Sequence, residues 1–226
     1  MQHFWVVGTD TDVGKTFVTT LFMRHLQMQG YKVLPYKPVQ TGEVVEDNFK
    51  YYADTLNYTQ FSLQPLDSHA LNTYSFPLAA SPHYAAELEK ETIDEHRLLK
   101  AIETLQQQYD TVICEGAGGL IVPLQSRTTL TLLDVIKLSG LPVLLVAHTK
   151  LGTINHTLLS VNAIKAQNID LLGIVFNQFQ QSALEQNNID TIRRYVSVPT
   201  IVIDANRTIE SFDDESLFER LMTYDI

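Results

Sequence analysis

The chain has 226 residues, one cysteine (Cys114) and a formal net charge of -10. That is enough for one domain with a full core over 1–226, and it argues against nucleic-acid partners, a disulfide framework or a cysteine-rich metal cluster. No apolar run is long enough to span a bilayer and the N-terminal stretch has no signal-peptide layout, so a cytoplasmic protein without membrane partners is expected.

In chain order, an apolar run at 4–7 predicts a first strand. The loop Gly8-Thr-Asp-Thr-Asp-Val-Gly-Lys-Thr16 follows, then a helix over 15–29 stopped by Gly30. A second strand falls at 33–36. Thr92-Ile93-Asp94-Glu95 resembles a capping box opening a helix over 94–108. Next come a strand at 111–114, a helix over 131–139 stopped by Gly140, and a strand at 143–147. A helix over 154–167, a strand at 172–176, a helix over 183–195 and a strand at 200–203 complete the alternation. A second box, Ser211-Phe212-Asp213-Asp214, opens a last helix over 213–223. Most strand runs are apolar throughout, as strands buried on both faces are. The pattern predicts a three-layer α/β/α fold with a mainly parallel sheet, and the loop ending Gly14-Lys15-Thr16 makes it one of the P-loop nucleoside triphosphate hydrolase type.

Ligands of such folds bind beyond the carboxyl ends of the strands, so the residues after each run carry the functional information. After the first comes the phosphate loop. Its N–H groups suit phosphate oxygens, Lys15 the terminal phosphates and the Thr16 hydroxyl a Mg²⁺ ion. The spacing is irregular: the usual first glycine position holds Thr9, and Gly8 sits one residue early. Asp10 and Asp12 look out of place in an anion site and make sense beside a metal or a cationic substrate. Asp12 either caps the Gly14 turn or faces a substrate ammonium.

After the second run comes Lys37, read either as a surface charge or as a second cation over transferring phosphate. After the third comes Glu115, whose carboxylate at a buried strand tip costs desolvation unless it meets a cation. The glycines that follow it, Gly116, Gly118 and Gly119, permit close backbone approach to a ligand. Asp54 is either a solvated carboxylate or a third oxygen ligand with Thr16 and Glu115. Asn177, after the 172–176 run, is either a turn residue or an amide facing a purine edge. Cys114 points away from the Glu115 side and reads as core. His83 and His156 read as caps or packed imidazoles, because no second histidine or cysteine lies at metal-binding spacing.

Five blocks occur together: the loop at 8–16, Tyr36-Lys-Pro-Val39, Ser81-Pro-His83, Glu115-Gly-Ala-Gly-Gly119 and Lys150-Leu-Gly-Thr-Ile-Asn-His156. In this combination and order the chain resembles the ATP-dependent dethiobiotin synthetases over roughly residues 3–177. The resemblance implies ATP and Mg²⁺ as cofactors, and 7,8-diaminononanoate and CO₂ as further substrates. One amine takes up CO₂ as a carbamate, the carbamate takes the γ-phosphoryl group, and the second amine closes the ureido ring. Lys15, Lys37 and Thr11 would act in catalysis. Asp12, Val13, Gly14, Lys15, Thr16, Phe17, Glu115, Gly118 and Asn177 would bind nucleotide. Thr16, Asp54 and Glu115 would hold Mg²⁺, and Thr41 and Asp12 would meet the substrate. The substrate's tail carboxylate would cross to Gly152, Thr153 and Asn155 of a second subunit, which implies a homodimer with active sites at its interface.

The chain departs from the family at Pro199-Thr-Ile-Val-Ile-Asp-Ala-Asn206, where members often have a Gly-x-Ile-Pro-like turn enclosing the base. Two rivals share the expected fold. Partitioning and division-site ATPases typically carry Lys-Gly-Gly-x-Gly-Lys-Thr, whereas Asp10-Thr11-Asp12 stands here. Amidotransferases of cobalamin synthesis are normally longer, with a glutamine-hydrolysing domain.

Overall fold

The computed structural model describes residues 3–47 and 49–210. Its strands are β1 (Phe4–Gly8), β2 (Val33–Thr41), β3 (Glu43–Glu46), β4 (Phe49–Tyr52), β5 (Asn72–Phe76), β6 (Thr111–Glu115), β7 (Val143–His148), β8 (Leu171–Phe179) and β9 (Thr200–Asp204). The helices are α1 (Lys15–Met28), α2 (Ala53–Phe61), α3 (Pro82–Leu88), α4 (Glu95–Gln106), α5 (Leu132–Ser139), α6 (Thr153–Ala166) and α7 (Ala183–Tyr195). Seven strands form one sheet in the order β5-β2-β6-β1-β7-β8-β9. Every ladder within it is parallel.

The continuous apolar runs follow from burial on both faces. Phe4 and Val6 pack with Val18, Phe22 and Leu26 of α1 on one side. Their neighbours Trp5 and Val7 join Ile102 of α4, Ile136 of α5 and Ile164 of α6 on the other. Cys114 belongs to the second side and Ile113 to the first, as the alternation requires. Among the described residues, no helix is long and apolar enough to cross a membrane.

β1 lies between β6 and β7, so the chain leaves it toward β2 on one side and later reaches β7 on the other. A sheet opens its ligand crevice at such a reversal. β2 supplies one wall because it outruns β6. Val33–Tyr36 pair with Thr111–Cys114, whereas Lys37, Val39, Gln40 and Thr41 pair only with β5. Two prolines fit this strand without losing a ladder bond. Alternate residues offer their N–H groups to opposite neighbours, and the Lys37 N–H goes to Leu71 on the β5 side. Pro35 therefore faces β5 before β5 has begun, and Pro38 faces β6 after its pairing has ended.

The structure adds the β3–β4 hairpin, α2, β5 and α3 to the predicted elements. Their sequences are polar or mixed: Asn72-Thr-Tyr-Ser-Phe76 is an edge strand, and α2 buries only Tyr58. One cap assignment also differs. Asp94, not Thr92, caps α4 by accepting the His96 N–H. Complete capping boxes occur instead at Thr131/Asp134 and Ser182/Glu185. Gly140 ends α5 in the left-handed conformation, as expected. The helix over 213–223 and the box at Ser211 lie outside the described residues.

Candidate active site

The carboxyl ends of β1, β2 and β6, closed by α2, surround a cleft of about 420 Å³. Thr11, Asp12, Gly14, Lys15, Thr16, Lys37, Thr41, Asp54, Glu115 and Gly118 all line it, with Val39 and Ala117. Most of the site residues expected from the sequence thus meet in one place. Val13 is buried beneath the loop and Phe17 packs partly buried beside it.

The loop is shaped around Gly14, the N-cap of α1, at φ 93°. A Cβ there would sit 2.0 Å from Nδ2 of Asn177. That amide donates to the Val13 carbonyl at 3.0 Å. Asn177 therefore braces the phosphate loop in this structure, where the sequence suggested a purine contact. Gln178 adds a hydrogen bond from Nε2 to the Asp12 carbonyl, 3.3 Å. Asp12 itself adopts a left-handed φ of 58° and lines the cleft, and the Asp10 carboxylate accepts the Thr11 N–H. The two acidic side chains thus differ in place: one shapes the turn and the other borders the cleft.

Beneath the loop lies a cluster of charges. Lys37 is 4 % exposed and Glu115 1 %. Lys37 Nζ lies 2.5 Å from Glu115 Oε1, 2.6 Å from Asp54 Oδ2 and 3.1 Å from the Gly116 carbonyl. It is no surface charge. Burial would push its proton off, but Glu115 and Asp54 outweigh burial and hold its pKa above the ordinary lysine value. Burial likewise opposes ionisation of Asp54, and the Lys37 charge with hydrogen bonds from Lys37 and Thr16 reverses that, keeping its carboxyl below the ordinary range. Among the described residues no carboxylate hydrogen-bonds Lys15; its Nζ donates to the Asp10 carbonyl at 2.9 Å. Burial, and next the charge of Lys37, lower its pKa to about 8.

The donor set fits Mg²⁺. The Thr16 hydroxyl lies 2.8 Å from both Asp54 Oδ1 and Glu115 Oε1, yet its one proton serves only one of them. Three oxygens, two of them carboxylate, thus converge beside the Lys37 ammonium, a hard donor set that suits a divalent cation. Among the described residues there is no group of three His, Cys, Asp or Glu suited to a metal. A hydroxyl and two carboxylates completed by phosphate oxygens and water are the usual Mg²⁺ arrangement. Three acidic residues and two lysines line the cleft, so a polyphosphate also needs a cation to enter it.

Tyr58 was not singled out from the sequence. Its hydroxyl donates to Glu115 Oε2 at 2.5 Å, and the side chain is fully buried. Burial, then the Glu115 and Asp54 charges, push its phenol pKa far up, so it stays a donor. The available signal was its place four residues after Asp54, on the same helix face.

Gly152, Thr153 and Asn155 lie apart from this cleft, at the start of α6. Thr153 is buried and donates to the His148 carbonyl, Gly152 takes φ 95° as N-cap, and Asn155 is exposed. The atypical stretch 199–206 forms β9, an edge strand on β8, and the turn after it. Cys114 is fully buried, and burial raises its thiol pKa, as suits a core residue.

A family model described as an AAA domain matches residues 2–204. The ATP-dependent dethiobiotin synthetase BioD of Lysinibacillus sphaericus is 56% identical over 227 residues, covering 98% of this chain and 97% of that protein. The protein of the same name from Halalkalibacterium halodurans is 39% identical over 203 residues, covering 89% and 83%. Among solved structures, the septum site-determining protein MinD of Pyrococcus horikoshii OT3, complexed with Mg-ADP, superposes with a TM-score of 0.55. It is 18% identical, with 91% of this chain and 82% of that one covered, so the likeness is one of fold. The full-length match at high identity, together with a cleft in which the expected lysines and carboxylates converge, places the chain in the ATP-dependent dethiobiotin synthetase family.

Proposed function

We propose that this cleft joins 7,8-diaminononanoate and CO₂ at the expense of ATP, releasing dethiobiotin, ADP and phosphate. The chain is an ATP- and Mg²⁺-dependent ligase of biotin biosynthesis. The observation that supports the site assignment best is the buried contact of Lys37 with Glu115 and Asp54 beside the phosphate loop. Lys15 and the loop N–H groups bind the triphosphate. Thr16, Asp54 and Glu115 hold Mg²⁺, which neutralises charge on the phosphate oxygens.

Lys37 stands where negative charge grows as a carbamate oxygen takes the γ-phosphoryl group. Two amines held near one carbon then need little acid–base help, because positioning removes the entropic barrier beforehand. Thr11, Thr41 and Asp12 border the space left for the diamine.

The tail carboxylate of the substrate would meet the start of α6 in a second copy. The exposed side chains of Ile121, Leu151 and Leu159 support such a homodimer, since a groove runs from Thr9 and Asp10 past Ile121 to Leu159. The test is phosphate release from ATP. It should require both the diamine and bicarbonate, and rapid release without the diamine overturns the reading.

A further inference from the structure

We propose that Tyr58 is a positioning residue that fixes the carboxylate of Glu115 for the metal. The inference rests on the assignment of Thr16, Asp54 and Glu115 to Mg²⁺ and extends it to a residue outside that set.

The two oxygens of Glu115 have separate surroundings. Oε1 faces the other polar groups of the cluster, with Lys37 Nζ at 2.5 Å and Thr16 Oγ1 at 2.8 Å. Oε2 accepts the Tyr58 hydroxyl at 2.5 Å. A carboxylate with one oxygen taken by a fixed donor cannot rotate freely about its last torsion. The phenol thus leaves Oε1 as the oxygen that meets a cation. Such outer contacts orient metal ligands and tune their affinity.

Tyr58 is itself held. It is completely buried, and α2 carries both Asp54 and Tyr58 one turn apart, so one helix face presents a ligand and the clamp of a second ligand. Between them Asn57 ties α2 to α1 through the Thr20 hydroxyl at 2.7 Å, and that hydroxyl also lies 2.7 Å from the Thr16 carbonyl. The position of α2 is therefore coupled to the residue that ends the phosphate loop.

The test is Mn²⁺ binding, followed by electron paramagnetic resonance on protein saturated with a non-hydrolysable ATP analogue. Tyr58→Phe keeps the ring and removes the donor, and its Mn²⁺ dissociation constant should rise about tenfold. Affinity for the analogue without metal should stay within about twofold, a split that loose packing would not give. Glu115→Gln should weaken Mn²⁺ binding by itself, and adding Tyr58→Phe to it should cost less than about twofold more, because the two act as one unit.

Wild-type Mn²⁺ affinity in Tyr58→Phe, with Glu115→Gln weakened, overturns the role of Tyr58 and leaves the metal site standing. Wild-type affinity in Glu115→Gln overturns the metal assignment itself. Should Tyr58→Phe not fold, the double variant still decides, since it removes the charge that the lost phenol leaves unpaired. A further loss beyond about fivefold relative to Glu115→Gln then counts against the proposal.

Discussion

Glu115, the last residue of β6, and Glu185, in the first turn of α7, are both buried carboxylates, and their partners differ in kind. Glu185 accepts the Thr149 hydroxyl at 2.5 Å on one oxygen. On the other it accepts the Ser182 hydroxyl at 2.8 Å and the Gln180 N–H at 3.2 Å. These donors are neutral, and apart from Thr149 they lie within five residues; the Ser182 N–H, 3.3 Å from the same oxygen, completes the capping box of α7. Glu115 draws on residues 57, 78 and 99 positions away, and one of them is an ammonium. A carboxylate saturated by local neutral donors fastens a helix. One balanced against a distant ammonium keeps a field that an incoming ligand can redistribute.

The sharpest test of this contrast is Lys37→Ala. It should lower diamine-dependent phosphate release by at least about 10²-fold, the loss expected for one transition-state donor. Near-normal turnover would make the Glu115 cluster as structural as the Glu185 one. The complementary change is Glu185→Gln. It should lower unfolding free energy in urea by about 1–3 kcal/mol through a disturbed buried hydrogen-bond set, while turnover per folded molecule stays within about twofold.

The smallest effect concerns Lys15. Its folded pKa of about 8 lies below the ordinary 10.5, so folding favours its neutral form. The destabilisation from this residue is complete below about pH 8 and is relieved as pH rises from there toward 10.5. Phosphate oxygens reverse the shift. Binding of a non-hydrolysable ATP analogue at about pH 8.5 should therefore take up part of one proton. Calorimetry in two buffers of different ionisation enthalpy measures the uptake. Lys15→Ala should abolish it and Glu185→Gln should not.

The frame of the fold was legible because its strands are unbroken apolar runs. Lys37 and Glu115 stood out as charges placed at the ends of such runs. Their burial and mutual contact were not legible, since 78 residues separate them. α2 was missed because Ala53–Phe61 has no apolar stripe, and Tyr58 with it. Asn177 was noticed for its place at a strand end. The residue that explains its contact is Gly14, whose missing side chain makes room for the amide. A one-dimensional pattern reports which groups are unusual for their element. It does not report which of them meet when loops from three strands converge.

The two prolines of β2 have a further consequence. Sliding this strand by one residue along β6 would bring a proline opposite a ladder position that needs an N–H, and would turn Lys37 to the opposite face of the sheet. Pro35 and Pro38 therefore act as keys in a lock. They forbid the neighbouring alignments during assembly and set the height at which the ammonium emerges beside Glu115. An insertion or deletion between α1 and Pro35 should then be absorbed in the turn around Gly30, leaving the strand and its lysine in place.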